Sequence, residues 1–186
     1  MGLKLFRSTG YSSILMPGEV RLALHPAWIV FGVSVWVGFV CNVAVWRGLR
    51  GSADLVHGLV VGVAVAAASA LLLSTFGWRR TLKLATVTVL VLAALASSTI
   101  WSEALPVDGS LLERPASMLF VPPWASLLRW QVSATIAGLA LVPATWVWLT
   151  PLRRLGGPQQ LRVNVAGIAI GFAALMGAGW LLQHGF

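Results

Sequence analysis

Residues 55–78 read LVHGLVVGVAVAAASALLLSTFGW, a stretch without one Asp, Glu, Lys or Arg. About 20 apolar residues in a helix cross the hydrocarbon core of a bilayer, which is about 30 Å thick. Lipid offers no hydrogen-bond partners, so such a run must pair its backbone groups internally, as an α-helix does. The stretch therefore predicts a transmembrane helix.

Four further runs of similar length and composition lie on either side of this stretch, and none alternates like a barrel strand. They cover residues 27–46, 82–101, 127–149 and 161–183. The whole chain is 58% apolar and 10% charged, whereas a soluble domain is about 25% charged. The sequence thus predicts an all-α integral membrane protein with five transmembrane helices. It excludes a soluble enzyme, a disordered chain and a disulfide scaffold.

Positive residues predict the orientation, because loops that face the cytoplasm carry an excess of Lys and Arg. One side of the predicted bundle holds nine of them, and the other side holds four. The nine are Lys4, Arg7, Arg21, Arg79, Arg80, Lys83, Arg153, Arg154 and Arg162, and the four are Arg47, Arg50, Arg114 and Arg129. The N-terminus is therefore predicted inside and the C-terminus outside. Polar residues interrupt residues 1–26, which predicts a retained cytoplasmic arm rather than a cleavable signal, with the transmembrane domain in residues 27–186.

Three local features refine this prediction. Residues 110–120, in the outer connection between the third and fourth helices, predict a short amphipathic segment on the outer membrane surface. Pro143 predicts a kink in the fourth helix, because proline removes a backbone hydrogen bond. Small residues recur along the second and fifth helices and predict close helix packing, either within the chain or across a dimer. They are Gly58, Gly62, Ala66, Ala70, Gly167, Gly171 and Gly179.

The sequence contains no catalytic constellation. The histidines are scattered at positions 25, 57 and 184, which does not predict a metal site, and no phosphate-binding or dinucleotide motif is present. Polar residues gather in the outer half, where a zwitterionic lipid headgroup would need a cation for its phosphate and an acid for its amine. The candidate lipid-binding residues are Asn42, Glu103, Asp108, Arg114 and Arg129. The alternative is that these are ordinary interfacial residues, solvated by water and headgroups.

Three stretches in order resemble the N-terminal membrane domain of the bacterial lipid A phosphoethanolamine transferases, some of which confer polymyxin resistance. Residues 42–47 read NVAVWR, similar to the family's Asn-x-x-Phe-Trp ending of the first helix. Residues 79–83 read RRTLK and lead to Ala-Ser-Ser at 96–98, as a basic start leads to Ala-Ser-Tyr-Phe in the family. Residues 141–148 read LVPATWVW, which resembles Leu-Pro-Ala-Leu-Leu-Leu-Trp.

The resemblance implies five helices in the bacterial inner membrane, an outward C-terminus and contact with membrane lipids, phosphatidylethanolamine among them. In the family, a periplasmic sulfatase-like domain after the fifth helix carries the Thr nucleophile and the zinc ligands. The chain ends at Phe186, so we expect no cofactor here and no activity of this chain alone. The family's outer-loop pattern also changes, with Trp101, Glu103 and Ala104 in place of Asp, Tyr and Gly, although Asp108 keeps one acid.

These observations lead to one leading hypothesis and two alternatives. The chain is predicted to be the membrane module of a phosphoethanolamine-transferase-like system, serving as an anchor, a lipid contact or a docking site for a separate periplasmic catalytic domain. The first alternative is a small membrane scaffold or accessory subunit without lipid chemistry. The second is a small transporter, against which the lack of mid-membrane charge and of an internal repeat argues.

Overall fold

The computed structural model of the chain describes residues 23–49, 51–103, 105, 115–120, 124–153 and 155–184. Within these ranges, five helices are long and apolar enough to cross a membrane, and no strand is formed. The predicted all-α membrane fold with five spans is confirmed. Most of the predicted arm, residues 1–26, lies outside the described residues, and so do Asp108 and Arg114.

The five spanning helices follow the predicted apolar runs closely. They are α1 (Pro26–Gly48), α2 (Ser52–Thr75), α3 (Arg79–Ser102), α4 (Trp130–Leu149) and α5 (Gly157–His184). The largest difference is at α5, which begins about one turn before the predicted run. Pro158 lies in its first turn, where the missing N–H of proline costs no helical hydrogen bond. Between α3 and α4, Ala116–Phe120 and Trp124–Leu127 form two short helices.

The most extensive contacts join the helices in the order α4, α3, α1, α2, α5, and α2 also contacts α3. Helix α2 packs against both α1 and α5, and α3 packs against both α1 and α4. The most extensive helix pair is α2 with α5, which are far apart in the sequence. Helix α1 lies at the centre of the bundle, because its residues also form buried clusters with Leu139, Ala140 and Val147 of α4.

Small residues allow α2 to approach both of its neighbours. A Cβ atom on Gly38 of α1 would overlap the Gly62 carbonyl oxygen and Ala66 of α2. On the other side, a Cβ atom on Gly171 of α5 would lie 3.2 Å from the Ala67 carbonyl oxygen. Gly62, Ala66 and Gly171 of the predicted stripes thus pack within the chain, since small residues let helix backbones come into contact. Nothing comes within 4 Å of a Cβ atom placed on Gly179.

Helix α4 contains a π-helical turn over Ala137–Leu141, directly before the segment that holds Pro143, and the predicted kink stays a prediction. In a regular helix the Leu139 carbonyl would accept from the N–H of residue 143, but proline has none. The Trp36 indole Nε1–H of α1 donates to this carbonyl instead, across 3.1 Å. Trp36 itself opens a second π-helical turn, Trp36–Val40. Trp36, near the middle of α1, thus links α1 to α4.

One end of the bundle holds the start of α1, the end of α2, the start of α3, the end of α4 and the start of α5. We call it the basic end, because Lys83, Arg153 and Arg162 lie there. The Lys83 ammonium donates to the carbonyls of Trp148, at 2.7 Å, and Thr150, at 3.0 Å. A cation at a helix C-terminus is favourable, because the last carbonyls carry partial negative charge. The Leu24 N–H also donates to the Pro151 carbonyl, so the chain before α1 is tied to the end of α4.

Candidate functional site

Helix α1 is interrupted near the end of the bundle opposite the basic end. Asn42 has φ −85° and ψ 49°, outside the helical region, and a new helical segment starts at Val43. The break deprives the Gly38 and Phe39 carbonyls of their usual backbone donors. The Asn42 side-chain amide donates to the Gly38 carbonyl, and the Trp46 indole N–H donates to the Phe39 carbonyl. Asn42, predicted as a lipid ligand, therefore donates its side-chain N–H to a carbonyl of its own helix.

Aromatic contacts hold the last turn of α1 in place beyond this break. The Phe39 and Trp46 rings stack with centroids 6.2 Å apart. The Arg47 guanidinium carbon lies 4.9 Å from the centroid of the Trp101 ring of α3, within the range of a cation–π interaction. The first contact lies within α1, and the second holds the end of α1 against α3.

A cavity of about 330 Å³ opens between the last turns of α1 and the first turns of α2. Its titratable lining residues are Asp54 and His57, three positions apart in the first two turns of α2. Residues at this spacing lie on the same face of a helix. The apolar wall includes Val45, Leu49 and Leu105. We call this cavity the Asp54–His57 pocket.

Glycine at position 58 keeps the floor of this pocket close to α1. A Cβ atom on Gly58 would lie 3.2 Å from both Val45 and Leu49, which is tighter than an ordinary van der Waals contact. Asp54 is in the first turn of α2, where the helix dipole favours a negative charge. The pocket thus combines a carboxylate, an imidazole and an apolar wall at one end of the bundle.

The described members of the predicted lipid-binding set occupy three different places. Asn42 is at the break in α1, exposed Glu103 directly follows α3, and exposed Arg129 directly precedes α4. The Arg129 carbonyl accepts from the N–H groups of Val132 and Ser133 at the start of α4. These three residues do not line the Asp54–His57 pocket. Their role as lipid ligands stays a prediction, as does that of Asp108 and Arg114 outside the described residues.

Asp54 and His57 were not predicted as a pair from the sequence. Their spacing at the start of an apolar run was the available signal, because residues three apart on a helix are neighbours. Gln160 was also missed, and its side-chain Nε2 donates to the Gly77 carbonyl at 2.7 Å and to Asn164 Oδ1 at 2.9 Å. The Gln160–Asn164 spacing of four was a comparable signal.

Within the described part of the chain, no three His, Cys, Asp or Glu side chains come together as a metal site would require. Comparison with known proteins adds no assignment, since no family model, curated protein or solved structure matches the chain. The structure shows a multi-pass helical membrane protein, and its pockets carry the functional argument.

Proposed function

We propose that this chain is the membrane module of a phosphoethanolamine-transferase-like system in the bacterial inner membrane. In this proposal the basic end faces the cytoplasm and the Asp54–His57 pocket faces the periplasm. The module contacts the donor lipid and anchors or docks a periplasmic catalytic domain, while the transfer chemistry belongs to that domain. The order of the three motifs in the sequence and the five-span architecture support this role.

The Asp54–His57 pocket is the observation that carries the proposal. A phosphatidylethanolamine headgroup has an ammonium group next to a phosphate, so a binding site needs an acceptor beside a donor. The Asp54 carboxylate is an acceptor for the ammonium group, and a ring N–H of His57 is a donor for a phosphate oxygen. Hydrogen bonds to ionised groups are roughly twice as strong as neutral ones. In this proposal both side chains lie at the end of α2 that meets the membrane surface. Lipid headgroups lie at the same depth.

The pocket also gives the lipid a defined direction. Its apolar wall continues from Leu49, just after α1, and Val45 on α1 to Val61 on α2, which lies one turn deeper in the span than His57. A glycerol backbone and the start of the acyl chains can follow this wall, while the headgroup stays at the surface. The phosphate ester would then be presented to the periplasmic side, where a separate catalytic domain could reach it.

Removing the charge of Asp54 should weaken binding of phosphatidylethanolamine. We expect Asp54→Asn to lower the affinity about tenfold, since a hydrogen bond to a charged group contributes about 1.5–3 kcal/mol. Asparagine keeps the shape of the side chain and is tolerated near a helix start. Arg129→Ala tests the sequence-predicted residue in the same assay and should weaken binding severalfold if Arg129 contacts the phosphate. The measurement is photo-crosslinking of headgroup-labelled phosphatidylethanolamine to the protein in phosphatidylglycerol nanodiscs.

Arg153→Ala is the matched control, because Arg153 is an exposed cation at the basic end. We expect it to bind the labelled lipid like the unmutated protein. If Asp54→Asn, Arg129→Ala and Arg153→Ala all bind with the unmutated affinity, the headgroup proposal is wrong. The chain is then better described as a membrane scaffold or accessory subunit.

A further inference from the structure

A second and larger cavity lies on the other side of α2, between α1 and α5. Both helices pack on α2 and leave a groove of about 560 Å³ between them, within the range of about 300–1,000 Å³ that is typical of ligand sites. Its floor is made of small α2 residues, among them Ala66, Ala67 and Ala70. We call it the α1–α5 groove.

The α1–α5 groove is long enough to hold an extended lipid chain. Its lining covers residues 25–39, 63–77 and 160–174, which at about 1.5 Å per residue is about 21 Å on each helix. One leaflet contributes half of a hydrocarbon core that is about 30 Å thick. The groove therefore admits an extended chain.

Polar groups gather at the end of the groove that opens at the basic end. His25 Nδ1 accepts from the Ala27 N–H at 3.2 Å, so a neutral ring carries its proton on Nε2. Asn164 Oδ1 is occupied by Gln160 Nε2, which leaves the Asn164 NH₂ group as a donor. Both residues line the groove. Its mouth thus offers N–H donors, which suit phosphate and ester oxygens.

Asn164 is held at this mouth by its contacts with Gly77 and Gln160. Asn164 is buried, and its amide lies against Gly77, where a Cβ atom would overlap it. Gln160 Nε2 donates to the carbonyl of the same glycine.

We infer that the α1–α5 groove binds one acyl chain of a phospholipid from the leaflet at the basic end. The phosphate and ester oxygens of that lipid lie at the mouth, near His25 and Asn164. Charge favours this occupant, because the described charged residues at the basic end include Lys83, Arg153 and Arg162, all cations. The described acids, Asp54 and Glu103, lie at the opposite end. This site is independent of the phosphoethanolamine-transferase proposal and lies at the other surface of the membrane.

Photo-crosslinking from within the acyl chain tests this inference. The protein is reconstituted in nanodiscs that contain a phospholipid with a diazirine in one acyl chain, and adducts are mapped by mass spectrometry. We expect adducts at Phe31, Ala70 and Ile170, which line the groove, at least fivefold above those at Leu84 and Leu141. The latter two are exposed side chains of α3 and α4 outside the groove.

Ala70→Phe fills the groove floor and should reduce adducts at Phe31 and Ile170 at least fivefold. Ala68→Phe is the matched control, since Ala68 is an exposed residue of α2 that does not line the groove. It should leave the adduct pattern unchanged. If Ala70→Phe does not fold, the adduct map of the unmutated protein still tests the inference. Equal labelling around the bundle would overturn the inference. Depletion of adducts in the groove together with a cross-linked dimer would also overturn it, because a second copy would then cover the groove.

Discussion

Replacing Gly38 by Val should destabilise the bundle more than any other single glycine substitution in α1. A Cβ atom at this position would meet the Gly62 carbonyl oxygen and the backbone nitrogen of Ala66. Backbone atoms cannot rotate away as a flexible side chain does, so α1 and α2 must separate. We expect the free energy of unfolding to fall by about 3 kcal/mol, the upper part of the usual range for overpacking. The measurement is reversible unfolding by SDS in mixed micelles, followed by helical circular dichroism.

Gly32→Val is the control for this substitution. Gly32 lies in the same helix, and nothing comes within 4 Å of a Cβ atom placed on it. Both variants introduce the same β-branched residue into α1, so their difference isolates the contact with α2. We expect Gly32→Val to unfold within about 1 kcal/mol of the unmutated protein, since it changes mainly backbone freedom. Equal stabilities of the two variants would contradict the close approach of α1 and α2 at Gly38.

Trp36→Phe should destabilise the protein because it removes the donor to the Leu139 carbonyl. An unsatisfied buried carbonyl costs about 1–3 kcal/mol. The substitution Pro143→Ala restores a backbone N–H that can serve the same carbonyl. We therefore expect Trp36→Phe to lower the free energy of unfolding by about 1–2 kcal/mol less in the Pro143→Ala background than in the unmutated chain. Such coupling is typical of residues that share one hydrogen-bond network. The same SDS unfolding assay measures all four members of the cycle.

Trp28→Phe controls for the loss of indole area. Trp28 is 62% exposed and lies in the same helix as Trp36. Trp28→Phe should change the free energy of unfolding little, and by the same amount in the unmutated chain and in the Pro143→Ala background. If the effects of Trp36→Phe and Pro143→Ala simply add, the indole is not the substitute donor for the Leu139 carbonyl.

The sequence predicted the five spans well because the length of a span depends on the length of its own apolar run. Helix α1 (Pro26–Gly48), for example, differs from the predicted run 27–46 by one residue at its start and two at its end. The polar residues that bound each run are visible in the sequence itself. Pro143 lies two residues after the π-helical turn of α4, and the kink that the sequence predicts there stays a prediction.

The order of the helices was not predictable in the same way. A helix that is apolar all round has no polar face to reveal which side meets its neighbours. The position of α2 between α1 and α5 depends on contacts such as Gly171 with Ala67, which are far apart in the sequence. The Asp54–His57 pocket and the α1–α5 groove exist only once that order is known. Asn42 illustrates the same limit, because its donor role inside α1 depends on a helix break that the apolar run conceals.

Orientation is the property on which both proposed lipid sites depend. The Asp54–His57 pocket is assigned to the periplasmic surface and the mouth of the α1–α5 groove to the cytoplasmic surface. A phosphatase reporter that is active only in the periplasm, fused after Phe186 or after Arg80 and expressed in bacteria, measures this directly. We predict high activity for the fusion after Phe186 and background activity for the fusion after Arg80, at equal protein levels. High activity after Arg80 with background activity after Phe186 would place both sites on the wrong surfaces and contradict the proposed function.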